Sequence, residues 1–142
     1  MKDSVFYARH AGDLKRVAGN IIKVAGNERI VAFYGKMGVG KTTLIRYLCQ
    51  SLGVMTVVTS PTFTLVNEYA SLDGLVFHFD FYRIDKASDV LDLGIDECFD
   101  SGHWCLIEWP ELAEELLPES VVRVFLTENP TGRRTIRVEI EE

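Results

Sequence analysis

The chain has 142 residues, of which 47% are hydrophobic and 25% charged, the balance of one globular domain spanning 1–142. Its formal net charge of −6 argues against broad, non-specific nucleic-acid binding and is compatible with a protein partner that handles nucleic acid instead. No apolar run approaches the roughly 20 residues of a membrane-spanning helix, and Met1-Lys2-Asp3-Ser4 has no signal-peptide core behind it, so a cytoplasmic protein without membrane contact is expected.

Ser4 to Ala8 reads as a short first strand. From Gly12 a helix is predicted, because Leu14, Val17, Ala18, Ile21, Ile22 and Ala25 form one apolar stripe. Asp13 stands where a cap is wanted, and Gly26-Asn27 stops the helix. Arg29 to Tyr34 is a buried strand. A second helix carries Leu44, Ile45, Leu48, Cys49 and Leu52 on one face and ends at Gly53.

Val54 to Thr59 reads as a strand, broken at Ser60-Pro61-Thr62, with an extended pattern resuming over 63–69. Ser71-Leu72-Asp73-Gly74 is a turn into a strand over 75–81. These two segments form a predicted antiparallel hairpin. Alternation puts Val76, His78 and Asp80 on one face and Phe77, Phe79 and Phe81 on the other. Residues 87–99 read as short helices interrupted at Gly94. His103 to Trp109 is a strand, Glu111 to Leu117 a short helix, and Val121 to Thr127 and Arg134 to Glu142 two last strands. The expected fold is α/β, a three-layer arrangement like that of P-loop NTPases with a mixed, partly antiparallel central sheet. Cys49, Cys98 and Cys105 are odd in number and lack C-x-x-C spacing, so neither a disulfide nor a metal site is expected.

The most informative segment lies between the 29–34 strand and the second helix. Gly35, Gly40, Lys41 and Thr42 fall in the pattern G-x-x-x-x-G-K-[ST], within Gly35-Lys36-Met37-Gly38-Val39-Gly40-Lys41-Thr42-Thr43. Glycines allow positive φ and close approach of the backbone to phosphate oxygens. Successive N–H groups form an anion nest, to which a helix N-terminus adds partial positive charge. Lys41 would then reach the β- and γ-phosphates, the Thr42 hydroxyl would ligate Mg²⁺, and Thr43 would donate to the α-phosphate.

Such a loop needs an acid on a neighbouring strand to complete its magnesium site. Glu108 closes the apolar run Trp104-Cys105-Leu106-Ile107, and Asp80 lies within His78-Phe79-Asp80-Phe81-Tyr82-Arg83. The sequence alone does not rank them. The preferred reading gives Glu108 to the metal, with Asp80 as a further metal residue or a group that positions water. Thr62 lies in a hydroxyl-rich stretch and reads either as a γ-phosphate sensor or as a turn residue. His78 reads as a satisfied strand histidine or a functional one, Arg83 as a cation for phosphate or a surface charge. Lys36 reads as solvated and Trp109 as packing at the strand end or as an aromatic that meets a partner.

In series, the phosphate loop at 35–43, Ser60-Pro61-Thr62-Phe63-Thr64-Leu65-Val66 with Tyr69, His78-Phe79-Asp80-Phe81-Tyr82-Arg83 and Ile107-Glu108-Trp109-Pro110 resemble the TsaE family, also called YjeE. The resemblance covers nearly the whole chain. It implies a bacterial ATPase, magnesium-dependent and weakly active alone, that serves N6-threonylcarbamoyladenosine modification of tRNA. It implies action on a complex of TsaD and TsaB, with tRNA met indirectly and TsaD transferring the group to adenosine 37. The carry-over gives Lys41 to phosphate, Thr42 and Glu108 to Mg²⁺, and Asp80 to the catalytic centre. Thr62 goes to a nucleotide-responsive switch, and the neighbourhoods of Ala11 and Arg133 go to adenine. Two positions depart from the family pattern: Lys36 and Asn67 stand where acids are common.

Two other readings compete. A small-molecule kinase needs a cationic lid, and 83–101 supplies only Arg83 and Lys86. A nucleotide-gated assembly switch needs no turnover; two acids near the expected γ-phosphate favour hydrolysis and leave the switch open. A GTPase is weak for want of an N-K-x-D segment.

Overall fold

A computed structural model describes residues 2–59, 61 and 65–141. Thr62 therefore lies outside the described residues. Seven strands form one mixed sheet: β1 (Lys2–Ala8), β2 (Ile30–Tyr34), β3 (Val66–Ser71), β4 (Gly74–Asp80), β5 (Trp104–Glu108), β6 (Val122–Glu128) and β7 (Arg134–Ile140), in the order β1-β7-β6-β2-β5-β4-β3. The four central strands β6, β2, β5 and β4 run parallel, while β3, β7 and β1 each join antiparallel. The hairpin expected from 63–69 and 75–81 is present over residues 66–80, with Asn67 opposite His78 and Tyr69 opposite Val76; positions 63 and 64 lie outside the described residues.

Alternation along the strands builds two cores. Val31, Phe33, Leu106, Val76, Val122, Val124 and Leu126 face α1 (Leu14–Ala25) and α2 (Lys41–Ser51). Ile30, Ala32, Cys105, Ile107 and Phe79 face the other way, toward α3 (Ala87–Leu91), α4 (Ile95–Asp100) and a 3-10 stretch at Pro110–Leu116. The predicted stripes of α1 and α2 are the buried ones: Leu14, Val17, Ala18 and Ile21, and Leu44, Ile45 and Leu48, are fully enclosed. Among the described residues no helix is long and apolar enough to cross a membrane.

Three expectations need correction. Val54 to Thr59 is not a strand. Its alternation is real, since Val54 and Val58 are buried while Met55 and Val57 are exposed. Its main chain, however, leans on a helix end and on side chains. The Val54 N–H donates to Cys49 O at 3.0 Å, and Arg46 Nε donates to Val58 O at 3.0 Å. The segment expected as a helix at 111–117 is 3-10, broken by the non-helical backbone of Ala113 (φ −147°, ψ 42°). Asp13 does not cap the amides of α1; its Oδ2 accepts from the N–H groups of Arg9 (3.0 Å) and His10 (3.1 Å) in the preceding turn. Those backbone donors hold its carboxyl below the usual carboxylate range.

All three cysteines are free thiols. Burial pushes both Cys49 and Cys105 up to about 12 from an ordinary 9.0. The folded chain thus keeps two protons that the unfolded chain releases above its ordinary thiol range. This contribution to stability is present at neutral pH and lost as pH rises from that range toward the folded values. The urea midpoint should accordingly fall between about pH 8 and about pH 10.5, and fall less in a Cys49→Ala/Cys105→Ala variant.

Candidate functional site

Parallel pairing brings the chemistry to one end of the sheet. The loop follows β2, Glu108 ends β5 and Asp80 ends β4, with Phe33 in register with Glu108 and Glu108 with Asp80. Asp80, His78 and Glu108 follow the alternation of Val76 and Leu106, so they share the face of the sheet that α2 covers. This is the carboxyl end of the parallel strands, where open α/β sheets bind ligands.

The loop's glycines have specific duties. Gly38 and Gly40 sit at φ 82° and 111°, and Gly40 opens α2, whose first turn is closed by the Leu44 N–H donating to Gly40 O at 2.9 Å. Gly35, at φ 152°, has no room for a side chain: a Cβ would lie 2.8 Å from Leu126 O and 2.9 Å from Val39 Cγ1. Val39 is buried beneath the loop, and its carbonyl accepts from Arg134 Nε at 2.9 Å. The loop is thus tied to β6 and β7 on the side away from the acids.

A cleft of about 400 Å³ opens between the loop and the strand ends. Met37, Gly38, Gly40, Lys41, Thr42 and Thr43 line one side, and Asp80, Tyr82, Arg83, Glu108 and Trp109 the other, with Pro61 at the edge. Lys41, only 5% exposed, donates from Nζ to Gly35 O at 2.6 Å. The same ammonium stands 3.5 Å from the centroid of the Trp109 ring, a cation–π contact. Burial depresses the Lys41 pKa, against the opposing pull of Glu108, Glu111 and Asp80. Asp80 is raised, by burial first and by Glu108 as well, while the Tyr82 N–H, donating to Asp80 Oδ1 at 2.9 Å, works the other way.

Glu108, 3% exposed, is held from two sides. Thr42 Oγ1 donates to its Oε1 at 3.2 Å, and His78 Nε2 lies 2.8 Å from its Oε2. His78 is fully buried, and its Nδ1 meets the Tyr69 hydroxyl at 3.3 Å. Among the described residues, no group of three or more His, Cys, Asp or Glu could hold a metal ion by itself. The donors present suit magnesium nonetheless, since Mg²⁺ is usually bound by one or two carboxylates together with substrate phosphates and water. Thr42 and Glu108 already touch, and Asp80 lines the same cleft.

Other sequence candidates sit as follows. Lys36 is exposed, as expected. Together with Met37, Gly38 and Val39 it lines a second cleft shared with Leu126 to Pro130. Asn129 and Pro130 also line a third, with Arg9, His10, Thr131 and Arg133. Ala11 follows directly on that lining, in a 3-10 turn at Ala11–Asp13. The two neighbourhoods named for adenine therefore adjoin one another. Arg133 lies 4.7 Å above the Tyr7 ring.

Sequence reasoning underrated Trp109 and missed Arg134. Trp109 is not simple strand-end packing. Its left-handed backbone (φ 56°, ψ 47°) ends β5, and its ring covers Lys41 and meets Tyr82 at 5.1 Å. The signal was available, because Pro110 forbids continuation of the ladder and forces a turn beside the site. Nothing local in the sequence points Arg134 at Val39, 95 residues away.

Comparison with known proteins agrees with this arrangement. Residues 8–136 match the family described as "Threonylcarbamoyl adenosine biosynthesis protein TsaE". The chain is 37% identical over 111 residues to the tRNA threonylcarbamoyladenosine biosynthesis protein TsaE of Haemophilus influenzae, covering 78% of this chain and 70% of that one. It is 34% identical over 131 residues to the protein of the same name from Treponema pallidum, covering 92% and 96%. The crystal structure of YdiB from Bacillus subtilis superposes with a TM-score of 0.78 at 26% identity, covering 99% of this chain and 87% of that one. With the match running from the end of β1 into β7, the chain belongs to the TsaE family.

Proposed function

We propose that this chain is a P-loop ATPase that binds ATP with Mg²⁺ at residues 35–43 and hydrolyses it. The observation that carries the reading is the convergence of Lys41, Thr42, Asp80 and Glu108 on one cleft at the carboxyl ends of β2, β4 and β5. Phosphoryl transfer is catalysed mainly by positioning and charge stabilisation, which is what this constellation offers. Lys41 neutralises the β- and γ-phosphates, exchanging its bond to Gly35 O for phosphate oxygens. Thr42 and Glu108 would hold the magnesium, which would neutralise phosphate charge. Asp80 completes the acidic side, as a further metal residue or by orienting the attacking water. Arg83, on the cleft rim, faces the transferring phosphate, and Thr62 and His78 belong to the part that responds to nucleotide. The base lies toward the adjoining clefts near Ala11 and Arg133.

The product of the family's pathway defines the purpose: hydrolysis serves tRNA threonylcarbamoyladenosine formation at adenosine 37, in the cytoplasm, through a complex of TsaD and TsaB. A chain of net charge −6 suits a protein partner better than direct tRNA contact. Phosphate release from ATP should be slow with the chain alone and rise severalfold when TsaD and TsaB are added, as a partner orders the cleft. Equal rates with and without them would remove the partner from the mechanism. Phosphate transferred to a small acceptor would instead favour a kinase.

A further inference from the structure

A line of side chains runs from the main chain of Thr59 to Glu108 through the interior of the domain. The Thr59 N–H donates to the Tyr69 hydroxyl at 3.3 Å. Asn67 Nδ2 donates to the same hydroxyl at 3.2 Å and to Thr59 O at 3.0 Å. The Tyr69 hydroxyl meets His78 Nδ1, His78 Nε2 meets Glu108 Oε2, and Glu108 Oε1 accepts from Thr42. Tyr69, His78 and Glu108 are 7%, 0% and 3% exposed.

An ionised Glu108 only accepts, so His78 Nε2 carries the proton and donates. The Tyr69 hydroxyl lies 2.9 Å from Thr59 O, to which it donates, and 3.3 Å from His78 Nδ1, so it joins the ring to the main chain at Thr59. The two lone pairs of that hydroxyl take the Thr59 N–H and one hydrogen of Asn67 Nδ2, and the second Asn67 hydrogen goes to Thr59 O. A carboxylate at position 67 could donate to neither oxygen, so the amide of Asn67 is part of the scheme.

From this geometry we infer that Tyr69 and His78 are positioning residues for ATP turnover: they set the orientation of the Glu108 carboxylate against Thr42 and register it to the backbone at Thr59. Neither touches the cleft, since neither is among its lining residues. Among the described residues, the bond from His78 to Glu108 links them to the cleft. Partners of a ligand carboxylate commonly govern activity in this way. The inference rests on the hydrolytic reading of Glu108. It goes beyond that reading by giving roles to Tyr69 and Asn67 and a route by which movement at Thr59 reaches the site.

The test is a double-mutant cycle on steady-state ATP hydrolysis. Tyr69→Phe removes one hydroxyl and keeps the ring. His78→Gln keeps a donor of similar reach toward Glu108 and severs the link to Tyr69. Each single variant should lose about tenfold in kcat, with KM for ATP changed by less than about threefold. Because both cut the same line, the Tyr69→Phe/His78→Gln variant should lose no more than the weaker single variant. Parent kcat in Tyr69→Phe would overturn the inference. So would losses that multiply to about 100-fold in the double variant, the behaviour of two independent defects. Should His78→Gln fail to fold, Tyr69→Phe decides alone. An inactive parent, or full turnover in Lys41→Met, would overturn the ATPase reading and the inference with it. An active parent with an unaffected Tyr69→Phe overturns the inference alone.

Discussion

Replacing Glu108 with Gln is expected to lower ATP hydrolysis by about 100-fold or more while leaving the fold and most of the nucleotide affinity in place. The magnitude follows from the proposed role: a buried carboxylate, 3% exposed, would act on the reacting phosphate, where single contacts are worth about 10²–10³ in kcat. Gln is the informative replacement because of what surrounds Glu108. Its carbonyl can still accept from His78 and its amide can donate to Thr42, so neither neighbour is stranded. Glu108→Ala would instead leave the buried His78 without that partner, at a cost of about 1–3 kcal/mol. A drop in activity would then be mixed with a drop in stability. Phosphate release and thermal unfolding, measured side by side, separate the two. Full activity in Glu108→Gln would take the carboxylate out of the metal site and move attention to Asp80.

Lys41→Met should be the second severe change, and its signature differs. The thioether side chain still lies under Trp109, but the charge that would meet the β- and γ-phosphates is gone. ATP affinity should fall by at least about tenfold, the equivalent of about 1.4 kcal/mol, and turnover should be lost. Stability should hold or rise, because the ammonium is a buried cation whose proton affinity burial already lowers. Titration calorimetry with ATP and a melting curve test both halves. A variant that binds and hydrolyses ATP as the parent does would show that residues 35–43 are not the phosphate site.

Much of this architecture was readable from the chain, and the reasons are local. Ser71-Leu72-Asp73-Gly74 between two alternating segments announces the β3–β4 hairpin, and alternation alone put His78 and Asp80 on the face that the site uses. The glycine spacing from Gly35 to Gly40 announced the loop because backbone geometry there tolerates no substitute at Gly35. What escaped was non-local. Val54 to Thr59 has the apolar alternation of a strand, but a strand needs a neighbour, and its hydrogen bonds went to Arg46, Cys49, Asn67 and Tyr69. The Trp109 ring over Lys41 depends on the turn after β5 meeting the first turn of α2. Periodicity reports how much of a side chain is covered and not by what, so neither the relay to Glu108 nor the pairing of β1 with β7 could be written down beforehand.

That last pairing bears on when the protein becomes competent during its synthesis. The loop, α2 and β2 emerge from the ribosome early, yet the groups that brace the loop from behind, the Leu126 carbonyl and the Arg134 side chain, emerge near the end. The first strand, too, waits for β7 before it has a neighbour. A nascent chain stopped after β5 would carry the glycines, Lys41, Asp80 and Glu108 while lacking the wall that shapes them. Non-local closure of this kind is slow and leaves sheet edges open meanwhile. The loop is therefore made well before the groups that brace it, and its native shape waits for β6 and β7 to close against it.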